Sequence, residues 1–214
     1  MPEKKSVWGT SLYTIFFMTF LTALFISLLS ALFLKTRPRI LVNESYDFKS
    51  AVLHAAGDGG SGADRNAVIA LFDSSVREKK LPEGRGLYYK VALENGTTAY
   101  VFPFRGGGLW GEIEGVLGYN ATLTEITGFD ILKQNETPGL GGRITEAWFK
   151  DQFRGKSGPF TQLVTGGEET PDDSPDSFQA VTGATATSAA VQSMLNDVIR
   201  NRVEALRAVP EEER

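Results

Sequence analysis

The chain contains no cysteine and a single histidine, His54, among its 214 residues. The first absence excludes disulfides, thiolate nucleophiles and cysteinyl metal sites, and it suits a domain facing an oxidising compartment. A lone histidine in a helical stretch, with no carboxylate motif beside it in the sequence, reads as a surface or packing residue and not as a ligand. Positive charge is also scarce: 22 Lys and Arg stand against 26 Asp and Glu, a formal net charge of -4. There is no basic stripe interleaved with aromatics, so no nucleic-acid partner is expected. No GxxxxGK[ST] loop is present, and the element pattern is not a βαβ alternation, so a nucleotide held in the Walker or Rossmann manner is not expected. The balance that remains, 42% hydrophobic and 22% charged, leaves room for one globular domain of ordinary core size plus an appendage.

The appendage is plain. From Ser6 to Leu34 no side chain is charged, a run longer than the ~20 residues an α-helix needs to cross a ~30 Å hydrocarbon layer. Lys4 and Lys5 give it the basic start of a signal peptide, but it is too long for such an h-region and lacks a small-x-small cleavage site. We read residues 1–36 as a transmembrane anchor and 37–214 as one domain. Charge does not orient the anchor, since Lys4 and Lys5 on one side face Lys35, Arg37 and Arg39 on the other.

The pattern "RPRILVNESYDFKSAVLHAAG" predicts an amphipathic helix stopped at Gly57. "GDGGSG" then reads as a flexible break, and Asn66 to Lys80 as a short helix ending before Pro82. The middle is β-rich. "LYYKVALENGTTAYVFPF" holds two strands about an Asn95-Gly96 turn, and "LWGEIEGVLGYN" and "ITGFDILKQ" add two more around Asn120-Ala121-Thr122. The expected class is therefore α+β, with a mainly antiparallel sheet of four or more strands and flanking helices.

Three stretches carry candidate chemistry. "FRGGGLWG" exposes backbone at three consecutive glycines beside Leu109 and Trp110. In "NETPGLGG", Glu136 and Thr137 precede a Pro138-Gly139 turn that presents Leu140 between glycines, with Gly141 after it. "VTGATATSAAVQSML" packs Thr182, Thr185, Thr187 and Ser188 around Gly183 and Ala184, then turns into apolar spacing from Val191 to Leu206. A helix beginning near Ala184 or Thr187 would favour an anion at its start. One hydroxyl suffices to cap a helix; this stretch supplies four. The upstream "GGEETPDDSPD", with Glu168, Glu169, Asp172, Asp173 and Asp176, reads as a solvated acidic loop, and no metal site is expected.

"TGAT" at a hydroxyl-rich helix start, preceded in order by "GGGLWG" and "ETPGLGG" and by one N-terminal apolar helix, resembles the FMN-binding subunits of two related membrane complexes. These are the C subunit of the sodium-translocating NADH:quinone oxidoreductase and the G subunit of the Rnf electron-transport complex. The resemblance runs over nearly the whole chain. It implies FMN joined by a phosphoester to Thr185, the last residue of the (Ser/Thr)-Gly-Ala-Thr motif, with Thr182, Gly183 and Ala184 completing the motif and Thr187 and Ser188 close by. A separate flavin transferase makes that bond in the family, whose pattern carries an aspartate where Gln179 stands here. The resemblance further implies a one-electron carrier with no catalysis of its own, among other subunits of a membrane complex, its FMN domain on the periplasmic side of a bacterial inner membrane. Glu136, Thr137, Leu140 and Gly141 are candidates for contact with the isoalloxazine, with Leu109 and Trp110 behind or beside the ring. The details lean to the C subunit of the quinone reductase. The Rnf G subunit, or a stand-alone FMN carrier, is the alternative, and a tethered binding module without redox chemistry is the alternative from another class.

Overall fold

The computed structural model describes residues 7–57, 64–165 and 174–214, with side chains from Ser11 onward. Most of the acidic loop, including Glu168, Glu169, Asp172 and Asp173, lies outside the described residues, as do Lys4, Lys5 and most of the GDGGSG break.

Helix α1 runs from Val7 to Ala56, so the amphipathic helix expected after the anchor is the continuation of one helix that includes Pro38. The large apolar side chains from Leu12 to Leu34, Leu21 excepted, are exposed, and by length and composition the helix can cross a membrane. The chain divides into two compact units, one ending at Ser45 and the other running from Tyr46 to Arg214.

The second unit is built on a five-stranded antiparallel meander in the order β1(Val76–Lys80), β2(Leu87–Ala92), β3(Thr98–Gly107), β4(Glu112–Tyr119), β5(Ile126–Lys133). The Asn95-Gly96 turn joins β2 to β3 as expected, with Gly96 at φ 79°. The helix expected over Asn66–Lys80 is corrected: α2 covers only Arg65–Ser75, and Val76–Lys80 is the edge strand, paired from Val76↔Val91 to Lys80↔Leu87. Helix propensity in "VREKK" loses to the ladder offered by β2 and to burial of Val76 against Val91.

Period-2 alternation gives the sheet two buried faces. On one, Val91, Ala99, Val101 and Val116 meet Ala51, Val52, Ala55 and Ala56 of α1 and Val68 of α2. Gly118 and Gly128, directly paired between β4 and β5, leave room for the helix end. A Cβ on Gly118 would stand 1.9 Å from the Ala55 carbonyl oxygen, and one on Gly128 would stand 2.8 Å from that of His54. Thr127 Oγ1 then donates to the Ala55 carbonyl at 2.6 Å, satisfying a helix-terminal acceptor.

The other face carries Tyr88, Tyr100, Phe102, Phe104, Ile113, Leu117 and Phe129. It is covered by α3(Ala147–Asp151), by α4(Thr185–Val198) and by a short parallel pair, β6(Gln162–Val164) and β7(Ser177–Gln179). Phe129 is the hub, stacked on Phe104 at 5.7 Å and packed against Phe149 and Phe153. The apolar spacing to Leu206 is helical as expected, but it passes through a π-helical turn at Ile199–Val203 before α5(Glu204–Arg207). There Arg202 donates to the carbonyls of Leu87 and Pro103, tying the helix to β2 and β3.

Candidate functional site

Helix α4 begins at Thr185, with Ala184 as its N-cap. None of the threonines is the cap, and the alanine side chain provides no acceptor, so the first-turn amides remain suited to an external anion. The chain enters through a turn, Val181 to Ala184, closed by Ala184 N–H to the Val181 carbonyl at 2.9 Å with Gly183 at φ 76°. Position i+2 of such a turn demands a glycine.

The four hydroxyls divide into two pairs. Ser188 is fully buried, its Oγ accepting from the Val181 N–H at 3.0 Å and donating to the Ala184 carbonyl at 3.1 Å, which locks the turn to the helix. Thr187 is buried too, its Oγ1 donating to Glu136 Oε2 at 2.6 Å. Thr182 and Thr185 are exposed. Only exposed hydroxyls can meet a modifying enzyme, and of these Thr185 stands at the first helical position.

Two glycine-rich turns converge on this helix start. In one, β5 leads into Gln134, whose Oε1 accepts the Glu136 N–H at 2.6 Å, and the Thr137 carbonyl then accepts from Leu140 and Gly142 at 3.1 and 3.0 Å. That folds the Pro138-Gly139 corner and sets Leu140 outward, 44% exposed. Its Cδ2 lies 3.2 Å from where a Gly183 Cβ would be, so Leu140 packs over the TGAT turn. Thr137 is exposed beside it and Gly141 is buried beneath.

The other turn links β3 to β4, closed by Gly108 N–H to the Gly111 carbonyl at 2.7 Å. It leaves Leu109 and Trp110 56% and 71% exposed, while the Trp110 backbone N–H donates to Glu136 Oε1 at 3.0 Å. Glu136 is thus the link between the turns, only 4% exposed and with both oxygens engaged. Glu136 and Thr187 therefore lie underneath the exposed surface formed by Thr137, Leu140, Thr182, Thr185, Leu109 and Trp110. A cleft of about 810 Å³ runs along α4, lined by Gly106, Gly107, Ala190, Met194 and Arg202; the start of the FRGGGLWG stretch thus borders it, but none of the side chains expected to meet the flavin lines it.

The sequence hid two arrangements. Glu136 and Thr187 are 51 positions apart, and only the chain's return by way of α3 and the β6–β7 pair joins them. Likewise His54 does have a carboxylate neighbour: Nδ1 lies 3.2 Å from Asp130 Oδ2, close enough for an ion pair on protonation though not aligned as a hydrogen bond. Lys150 Nζ meets the other oxygen of Asp130 at 2.9 Å. Burial opposes ionisation of Asp130, but the contacts from His54 and Lys150 outweigh it and hold the carboxyl below its ordinary range.

Residues 108–200 match the family model described as the FMN-binding domain. The exposed turns and the start of α4 all fall within that matched span. Among relatives, the chain is 43% identical over 89 residues to the G subunit of the Na(+)-translocating ferredoxin:NAD(+) oxidoreductase complex of Acetobacterium woodii, covering 42% of this chain and 41% of that one. It is 26% identical to the C subunit of the Na(+)-translocating NADH-quinone reductase of Pseudomonas aeruginosa, over 75% of this chain and 80% of that one. The match to the Acetobacterium protein thus spans less than half of that relative's length. The crystal structure of the corresponding quinone-reductase C subunit from Parabacteroides distasonis superposes with a TM-score of 0.65 at 20% identity, over 81% of this chain and 98% of that one. That likeness establishes the fold.

The residues present fit FMN. An accessible hydroxyl stands at a helix start whose cap residue contributes no side-chain acceptor, which suits a phosphate, and exposed apolar side chains on two turns suit the flat face of an aromatic ring.

Proposed function

We propose that the chain is a membrane-anchored electron carrier in which FMN is esterified through its phosphate to Thr185, matured by a separate flavin transferase. The observation that carries this is the division of the hydroxyls within an FMN-binding domain: Thr187 and Ser188 are buried and bonded, and Thr185 is exposed at the first position of α4. FMN bound there supplies one-electron redox chemistry, and the chain's own part is to place and tune it. The α4 start holds the phosphate, where the helix dipole favours a negative charge by ~0.3–1 kcal/mol. Leu140 and Thr137 face the ring and Leu109 and Trp110 limit its exposure to water.

In this reading residues 1–36 are the anchor, 37–214 the flavin domain, and the carrier passes electrons between other subunits of an ion-translocating NADH:quinone oxidoreductase, of which it is the C subunit. The run Ser6–Leu34 holds no charge that could line an ion path, so cation transport, sodium included, belongs to the partners. A role as the G subunit of an Rnf-type complex is the second reading, favoured by the 43% identity over the shorter stretch. The flavin domain is assigned to the periplasmic side of a bacterial inner membrane.

The test is expression in cells that contain the transferase, followed by in-gel flavin fluorescence and peptide mass. Flavin on Thr185 is the expected result, and a wild-type chain without covalent flavin refutes the proposal. Co-purification separates the two complexes by the partners recovered. A reporter active only outside the cytoplasm, fused after Arg214, checks the orientation; activity from a cytoplasm-only reporter refutes it.

A further inference from the structure

The flavin reading uses Thr185 and the exposed turns but gives no task to the buried pair beneath them. We infer that the Glu136 carboxyl and the Thr187 hydroxyl form a positioning pair. It clamps both glycine-rich turns onto the first turn of α4 and so sets where Leu140 and Trp110 stand against the flavin. This rests on the flavin reading above. Glu136 acts here through the turns it holds and not by touching the ring.

Three observations converge on the pair. The first is connectivity: one carboxyl joins three segments distant in sequence, through the Trp110 N–H at 3.0 Å, the Thr187 hydroxyl at 2.6 Å and its own place in the Gln134–Gly142 turn. The second is burial, since Glu136 is 4% and Thr187 1% exposed. A carboxyl so placed is tolerable only while its acceptors are used, which makes the contact exacting in geometry.

The third observation is the glycines. A Cβ on Gly108 would lie 2.4 Å from Glu136 Oε1. One on Gly141 would lie 2.6 Å from Thr187 Oγ1 and 2.9 Å from both Cβ and Oε2 of Glu136. One glycine from each turn thus has no room for a side chain against the pair, Gly108 being crowded also by Ile113 Cδ1 at 2.7 Å, a constraint separate from turn conformation, since neither has positive φ. The consequence for the surface is direct. Leu140 adjoins Gly141 and packs over Gly183, and Trp110 hangs from the amide that Glu136 holds. Releasing the pair therefore moves both side chains while leaving Thr185 available.

The experiment uses the full-length chain in detergent, made in cells with the transferase, and compares wild type, Thr187→Val, Thr187→Ser and Gly108→Ala. Read out are flavin attachment by peptide mass, amide hydrogen exchange over Gly106–Gly111, and the flavin's visible spectrum and midpoint potential. Thr187→Val is expected to keep the adduct on Thr185, to raise exchange in that turn by about tenfold, and to shift spectrum and potential. Thr187→Ser restores all three to wild type because it restores the donor, a rescue that a purely volumetric role would not give. Gly108→Ala, whose Cβ would press on Glu136 Oε1 and on Ile113 but not on α4, reproduces the raised exchange. Wild-type exchange in Thr187→Val overturns the clamp, and raised exchange with an unshifted spectrum and potential overturns its positioning role. A wild-type chain lacking flavin overturns the functional reading itself, a failure recognisable because it precedes any substitution.

Discussion

Thr185→Val and Thr187→Val remove the same atom two residues apart, and the structure predicts opposite outcomes for flavin and for stability. Thr185 is exposed at the first position of α4 and is not the cap. Replacing its hydroxyl with a methyl group costs less than about 0.5 kcal/mol, the usual range for a surface site. The same change at Thr187 leaves Glu136 Oε2 without its 2.6 Å donor in a buried site, which costs about 1–3 kcal/mol. For a domain of this size each kcal/mol lowers Tm by roughly 2–4 °C. Thr185→Val should therefore melt close to wild type while losing the FMN mass and the in-gel fluorescence completely. Thr187→Val should keep both and melt several degrees lower. Flavin must be supplied by cells with the transferase, and stability is read by thermal unfolding of each variant in its flavin-free form, so that bound cofactor does not blur the comparison. The reasoning is refuted if flavin persists on Thr182 or Ser188 in Thr185→Val, or if the two variants melt alike.

Leu140→Asp should retain the phosphoester yet change the flavin's spectrum or potential, because Leu140 is exposed and packs over Gly183 of the TGAT turn; an unchanged flavin in the folded variant counts against the ring-side assignment. Asp130, held below its ordinary pKa by His54 and Lys150, stabilises the fold above the unfolded value of about 3.9, and this contribution is lost as pH falls through the lowered native value. Acid titration of unfolding should accordingly show a loss of stability below about pH 4 that is smaller in Asp130→Asn; equal acid sensitivity of the two proteins refutes the assignment. Gly118→Val should unfold the domain or expel the end of α1 from the sheet, since even a Cβ would lie 1.9 Å from the Ala55 carbonyl oxygen; wild-type melting contradicts the close packing described.

Features that depend on neighbours in the chain were legible from the sequence. The uncharged run from Ser6 to Leu34 marks a helix long and apolar enough to span a membrane, because the hydrocarbon layer is a constraint on length and polarity alone. The strands β2 to β5 follow from period-2 alternation and from turn residues such as Asn95-Gly96, and the start of α4 from the switch to 3.6-residue spacing after a small-residue turn. Features that depend on partners brought from elsewhere were not legible. "VREKK" is a strand only because β2 offers it a ladder. His54 has a carboxylate beside it only because α1 lies on β5. Four hydroxyls in a row looked alike in the sequence. Burial against Glu136 and against the Val181 turn is what separates Thr187 and Ser188 from the exposed Thr182 and Thr185. The glycines tell the same story: the sequence shows that Gly108 and Gly141 lack side chains, but only the tertiary structure shows that a Cβ at either would meet the buried Glu136 side chain.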